Sequence, residues 1–174
     1  MTRTLDTIYK AAGFVSALLI VAICVLVSCQ IMLNGLSRLL PGTLPSTIPS
    51  YADFAGFMLA GSTFLAMGYT LRSGGHIRVN LLVQRMPHCF ALLAEGFALL
   101  IASAFVGTAL WFSGALVMES VHYGDVSTGI VPIPLWLPQS VMTFGIALLL
   151  IALIHTLVDL ITSRASVLTS PDEV

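Results

Sequence analysis

The sequence predicts an all-α membrane protein with four transmembrane helices, a short amphipathic interfacial helix and both termini in the cytoplasm. Three observations carry that prediction. The chain has 174 residues, of which 57% are hydrophobic and 9% charged, and its mean hydropathy is +1.00. A soluble domain carries about a quarter charged residues. The seven basic and eight acidic residues leave four charge-free stretches long enough to cross a bilayer. Finally, six of the seven basic residues gather on one side once the chain is threaded back and forth. This composition excludes a soluble monomer, a disordered tail and a basic nucleic-acid binder, so no nucleic-acid partner is expected. Lys10 is the one lysine, which leaves no residue for a P-loop or a buried Schiff base.

Residues 1–174 read as a single integral-membrane domain. Its first span is 11–33, the apolar run from Ala11 to Leu33 after Lys10. A helix needs about 20 apolar residues to cross the hydrocarbon. A cleaved signal peptide would have a shorter apolar region of about 7–15 residues and a small-residue cleavage site. This run is longer and ends in Gln30, Met32 and Asn34, so it is expected to be a retained anchor. The second span, 52–71, lies between the outer loop and Arg72, and the third, 94–118, lies before Glu119. The fourth, 137–159, opens beside Pro134 and Pro138. Proline is tolerated in a first helical turn because its missing N–H would be unpaired there anyway.

Four spans place both termini on the same side as the middle loop. Arg3, Lys10, Arg72, Arg78, Arg85 and Arg164 fall on that side, against Arg38 on the other. Basic residues accumulate on the cytoplasmic side, so both termini are read as inside. Tyr9 and Tyr69 fall near the inner interface, and Tyr51, Tyr123 and Trp136 near the outer one. Trp111 sits deeper than an interfacial aromatic should.

The loops add detail. In the inner segment 76–88, Val79, Leu82, Val83 and Met86 recur at helical spacing, with Arg78 and Arg85 seven apart on the flank. That pattern suits a short helix lying in the headgroup plane, in contact with membrane lipid. Ile77 and Leu81 point off the stripe, toward another protein or an irregular backbone. The first outer loop is rich in proline and should be irregular. In the second, Val131, Ile133, Leu135 and Trp136 alternate with Pro132 and Pro134, which suggests an extended apolar segment rather than a buried strand.

Chemistry is sparse. A transporter working alone normally keeps an ionisable group near the midplane. Here Asp53, Glu95, Glu119 and Asp159 all sit near span ends, and the first span offers only Ser16, Ser28 and Gln30. Small four-helix multidrug pumps match the span number but need an acid within their first span. Of the histidines only His155 lies inside a span, which argues against haem. It stands one turn before Asp159, so a local His–Asp contact is expected. Cys24, Cys29 and Cys89 form no metal motif and read as packing residues. No catalytic residue, metal site or cofactor site is expected, and the chain reads as no enzyme. Small residues repeat at four-residue spacing at Ala52, Gly56 and Ala60, and again at Ala94, Ala98 and Ala102. Such stripes let helices approach closely, either within the chain or against a partner.

Two segments are similar to a known family. Arg72 with Gly75-His76-Ile77-Arg78-Val79 resembles a signature of the small membrane subunit of tripartite ATP-independent periplasmic (TRAP) transporters. Gly124-Asp125-Val126-Ser127-Thr128-Gly129-Ile130-Val131-Pro132-Ile133-Pro134-Leu135-Trp136 resembles a second signature of that family, before the fourth span. Asn80 stands where the first signature usually has Asp, and Tyr51-Ala52-Asp53 where the family usually has Trp and one or two acids. The resemblance implies an accessory subunit that packs against the scaffold of a large membrane subunit, which holds the sodium and substrate sites. It also implies a periplasmic binding protein that delivers an organic acid, with Asp53, Glu119 and Asp125 on the side where it docks. Arg72, Gly75, His76, Arg78 and Arg85 become candidate contacts to headgroups or to the large subunit. The alternative reading is a self-contained homodimeric four-helix transporter of small solutes.

Overall fold

The computed structural model describes residues 2–40, 42, 45–73 and 88–163. It holds four long helices: α1 (Thr2–Leu39), α2 (Tyr51–Arg72), α3 (His88–Tyr123) and α4 (Trp136–Ser163). All four are long and apolar enough to cross a membrane. Each contains its expected span and runs beyond it, most of all α1, which is helical from Thr2. Of the expected inner segment 76–88, only His88 is described, as the first residue of α3. Its interfacial helix therefore lies outside the described residues.

The helices pack in the order α1, α2, α4, α3, so α2 and α4 are central and α1 and α3 flank them. One end of this row, the terminal end, carries the start of α1 and the ends of α2 and α4. The loops that precede α2 and α4, here called the first and the second, lie at the other, distal end. Because α2 and α4 are joined through α3, they run parallel, and their facing residues stay in step. Gly61 meets Val141, Gly145 meets Phe64, and Gly68 meets Leu148. The spacing of Gly61, Leu65, Gly68 and Leu71 keeps one stripe of α2 buried along this seam.

Glycine sets how close the central pair comes. A Cβ on Gly145 would stand 2.5 Å from the Phe64 carbonyl carbon and 2.6 Å from its oxygen. Both are backbone atoms of α2, so a side chain at Gly145 could not be accommodated by rotating a neighbour. At Gly68 the nearest atoms are likewise backbone, with the Leu148 carbonyl oxygen 3.4 Å from a built Cβ. Close backbone approach of this kind is a main source of helix association in lipid.

Toward the terminal end, Tyr9, Leu71, Leu99, Ala152, Leu153 and Leu160 form a buried cluster drawn from all four helices. Tyr9 is only 1% exposed. It stands at the depth expected of an interfacial aromatic but faces the core rather than the headgroups. Trp111 does the reverse: it lies in the middle of α3 and is 76% exposed. Cys24 and Cys29 are also exposed, which corrects their reading as packing residues: they take no part in the chain's own core.

Several serine and threonine hydroxyls inside the helices find partners within the chain. Ser16 Oγ donates to the Ser62 carbonyl across α1 and α2 at 2.7 Å. Between α3 and α4, Ser113 and Thr143 hydroxyls lie 2.6 Å apart. Thr143 already donates to the Gln139 carbonyl, so Ser113 is the donor in that pair. Thr156, fully buried, donates back to Ala152 in its own helix.

Candidate functional site

Two polar constellations stand out, one at each end of the row. At the terminal end, the last residue of α2 faces the penultimate turn of α4. Arg72 Nη1 donates to Asp159 Oδ2 at 2.9 Å and lies 3.4 Å from Thr156 Oγ1. His155 Nε2 is 3.8 Å from the same carboxylate oxygen, the local contact expected from the i, i+4 spacing. The Arg72 and Asp159 side chains are 19% and 29% exposed, so this pair is neither free in solvent nor sealed in the core. Such a contact fixes the end of α2 to α4 at the point where the chain leaves for residues 74–87. Arg72 is thus a candidate contact whose described partners lie inside the chain. Gly75, His76, Arg78 and Arg85 lie outside the described residues.

At the distal end the two loops are tied down separately. Gln30 near the end of α1 is buried, and both ends of its amide hold the first loop. Its Oε1 accepts the Ile48 N–H at 2.7 Å, and its Nε2 donates to Thr47 Oγ1 at 3.1 Å. The described part of that loop is irregular, as its prolines predict. A polar residue that looked out of place in an apolar span therefore serves as a loop anchor.

The second loop, 124–135, doubles back on itself. Val126 and Pro134 form an isolated antiparallel bridge. Leu135 N–H donates to the Asp125 carbonyl and Ser127 N–H to the Ile133 carbonyl. Gly124 starts the turn with φ +68, a left-handed conformation that suits glycine. This folded segment rests on the first turn of α2. Val131 N–H donates to Ser50 Oγ at 2.8 Å. Gly129 lies against Asp53 so closely that a Cβ there would overlap the carboxylate and stand 2.6 Å from Ser50 Oγ.

Of the three candidate docking acids, Asp53 is half-buried under this segment, while Glu119 and Asp125 are exposed. Asp53 is the one that meets Gly129 directly. Among the described residues, no group of three His, Cys, Asp or Glu is placed to hold a metal ion.

The small-residue stripes are only partly used within the chain. Ala52 and Gly56 are exposed, and a Cβ on Gly56 would meet nothing within 4 Å; Ala60 is half-buried. On α3, Ala94 and Ala98 are exposed, while Ala102 packs against the terminal-end cluster. The close approaches within the chain use Gly61, Gly68 and Gly145 instead, which lie on a different face of α2 and on α4. Large apolar side chains crowd the outward faces of α1 and α3, among them Phe14, Met32, Phe97, Phe105 and Phe112. An open apolar groove of about 810 Å³ runs between α1, α2 and α4, lined by residues such as Val15, Phe57, Leu65 and Phe144.

The comparison with family models agrees with the two sequence signatures. Residues 27–163, well over half of the chain, match the family described as tripartite ATP-independent periplasmic transporters, DctQ component. No match was found among curated proteins or among solved structures. Four membrane-length helices and the family match together place the chain in a lipid bilayer as a multi-pass protein. The chain belongs to the DctQ family, the small membrane subunits of TRAP transporters.

Proposed function

We propose that this chain is the static accessory subunit of a sodium-coupled importer of an organic acid. In this reading the large membrane subunit carries the sodium and substrate sites, and this chain holds no cofactor and performs no catalysis. Its four helices pack against the fixed scaffold of that partner, in the cytoplasmic membrane, with both termini inside. The distal end then faces the periplasm, where Asp53, Glu119 and Asp125 lie on the side that meets the binding protein.

One observation supports this above the others: the described helices keep their acidic and basic side chains toward their ends and bond several mid-span hydroxyls within the chain. Ser16, Ser113, Thr143 and Thr156 all have partners within the chain. An ion-coupled transporter needs an ionisable group that can bind and release inside the membrane. A chain of this kind is suited to be a frame for a partner that has one. The exposed Gly56 and Ala98 give that partner places for close helix approach.

Reconstitution in liposomes tests the proposal. The large subunit together with this chain and the binding protein should show sodium-driven uptake, and neither membrane subunit alone should do so. Normal sodium-driven uptake by the large subunit without this chain would sink the proposal. Flux through this chain alone would favour a self-contained transporter instead. His76→Ala and Arg78→Ala are expected to weaken copurification with the large subunit.

A further inference from the structure

The second loop holds α2 by taking over groups that a helix start normally keeps for itself. Ser50 and Asp53 stand at the spacing of a capping box, Ser-x-x-acid, at the first turn of α2. In that motif the serine hydroxyl accepts the N–H three residues on, and the acidic side chain reaches back to the serine N–H. Ser50 does not play this part. Its side chain makes no cap hydrogen bond, and its backbone is left-handed, φ 54 and ψ 23, where an N-cap serine is normally extended. It is also the one described non-glycine residue with positive φ. The hydroxyl instead accepts the Val131 N–H, and the Asp53 carboxylate is pressed against Gly129.

We infer that residues 124–135 form a strap with two resting positions. In the closed one, seen here, it occupies Ser50 and Asp53. In the open one, those two side chains return to cap α2, which compensates for their release by the strap. The strap is built to move as a unit. Its internal bonds, Ser127 to Ile133 and Leu135 to Asp125, involve nothing from α2 and survive opening. Its tip is exposed, with Ile130 at 78%. Ile133, on its returning limb, lines the apolar groove beside Phe54, Phe57 and Met58. The strap's position therefore determines whether the distal end of that groove is covered. This inference does not depend on the transport role proposed above.

Amide exchange of the full chain in lipid nanodiscs, read residue by residue, tests it with two variants. Gly129→Ala drives a methyl into the Asp53 carboxylate. Val131→Pro deletes the N–H that Ser50 accepts. Both leave Ser50 and Asp53 in place to cap α2. In each variant, exchange across the strap should rise about fivefold, the equivalent of one hydrogen bond of ordinary net strength. Exchange at Ala52 and Asp53 should slow as the cap forms. Faster or unchanged exchange at Ala52 and Asp53 while the strap loosens overturns the inference, because the strap would then simply support the start of α2. No rise across the strap in either variant overturns it as well. If one variant fails to fold, the other decides; failure of both shows that the closed strap is indispensable and also overturns it.

Discussion

Replacing Gly145 by alanine should drive α2 and α4 apart along the central seam. The new Cβ would stand 2.5 Å from the Phe64 carbonyl carbon, where ordinary contact begins at 3.4 Å, so the helices must separate by about 0.9 Å. A gap of 0.5–1 Å forfeits about a quarter to a half of the attraction between facing atoms, and a buried leucine makes about 40–60 contacts of about 0.1–0.2 kcal/mol. Leu65 and Leu148, each 5% exposed, are the buried leucines nearest that point. With about half of their surface facing the seam, each loses about 1–1.5 kcal/mol, for a total of about 2–3 kcal/mol. Alanine returns up to about 1 kcal/mol through its higher helix propensity. The net loss is then about 1–2 kcal/mol, within the range found for overpacked cores. Reversible unfolding in mixed micelles, titrated with a denaturing detergent, measures it. Gly56→Ala is the control: with no neighbour within 4 Å, it should be neutral or slightly stabilising. Equal stability of Gly145→Ala and wild type, or of the two variants, would refute the reasoning.

Three other perturbations follow from the polar contacts. Arg72→Gln and Asp159→Asn should each cost about 1–3 kcal/mol, between the values for exposed and fully buried pairs. A double-mutant cycle should show coupling of about 1–2 kcal/mol, and additivity within about 0.3 kcal/mol would deny the pair an energetic role. Gln30→Leu leaves the Ile48 N–H without its acceptor, at about 1–2 kcal/mol. Limited proteolysis should then cut near residues 45–50 while the helices persist. Ser113→Ala removes the donor to Thr143 and should cost about 0.6 kcal/mol, the usual worth of an interhelical hydrogen bond in lipid. A loss above about 2 kcal/mol in detergent unfolding would show that the pair does more than link two helices.

The four spans were legible because charge is expensive in hydrocarbon, so the places without charge mark the membrane directly. Which face of each span packs was not legible. Lipid and protein core are equally apolar, and hydropathy does not tell Phe105, exposed, from Leu99, buried. The same ambiguity left open which neighbour each small-residue stripe faces. On α2, Ala52-Gly56-Ala60 and Gly61-Leu65-Gly68 are both plausible seams by spacing. The choice between them is made by α4, whose Gly145 offers no side chain where Phe64 passes. The Arg72–Asp159 pair was within reach of sequence reasoning. An even number of spans puts the ends of the second and fourth on one side, and opposite charges at matched depth invite a pair. The Ser50–Asp53 capping box was also readable from its spacing. Its diversion to Val131 and Gly129 was not, because partners 76 to 81 residues apart leave no local trace.

A row of helices is a mechanical element of a particular kind. Its two central members are locked by backbone contact at Gly145 and Gly68 and by an ion pair at the terminal end. Sliding α2 along α4 by even one residue would move about 1.5 Å of helix past the Gly145 notch and carry a side chain into it. That seam resists the small shear by which packed helices usually move. The flanking helices are different. α1 and α3 each touch one neighbour closely and turn large apolar side chains outward, so their free faces can be covered without disturbing the seam. Rigidity at the centre and adhesive surface at the edges suit a subunit that must stay still while a partner moves against it.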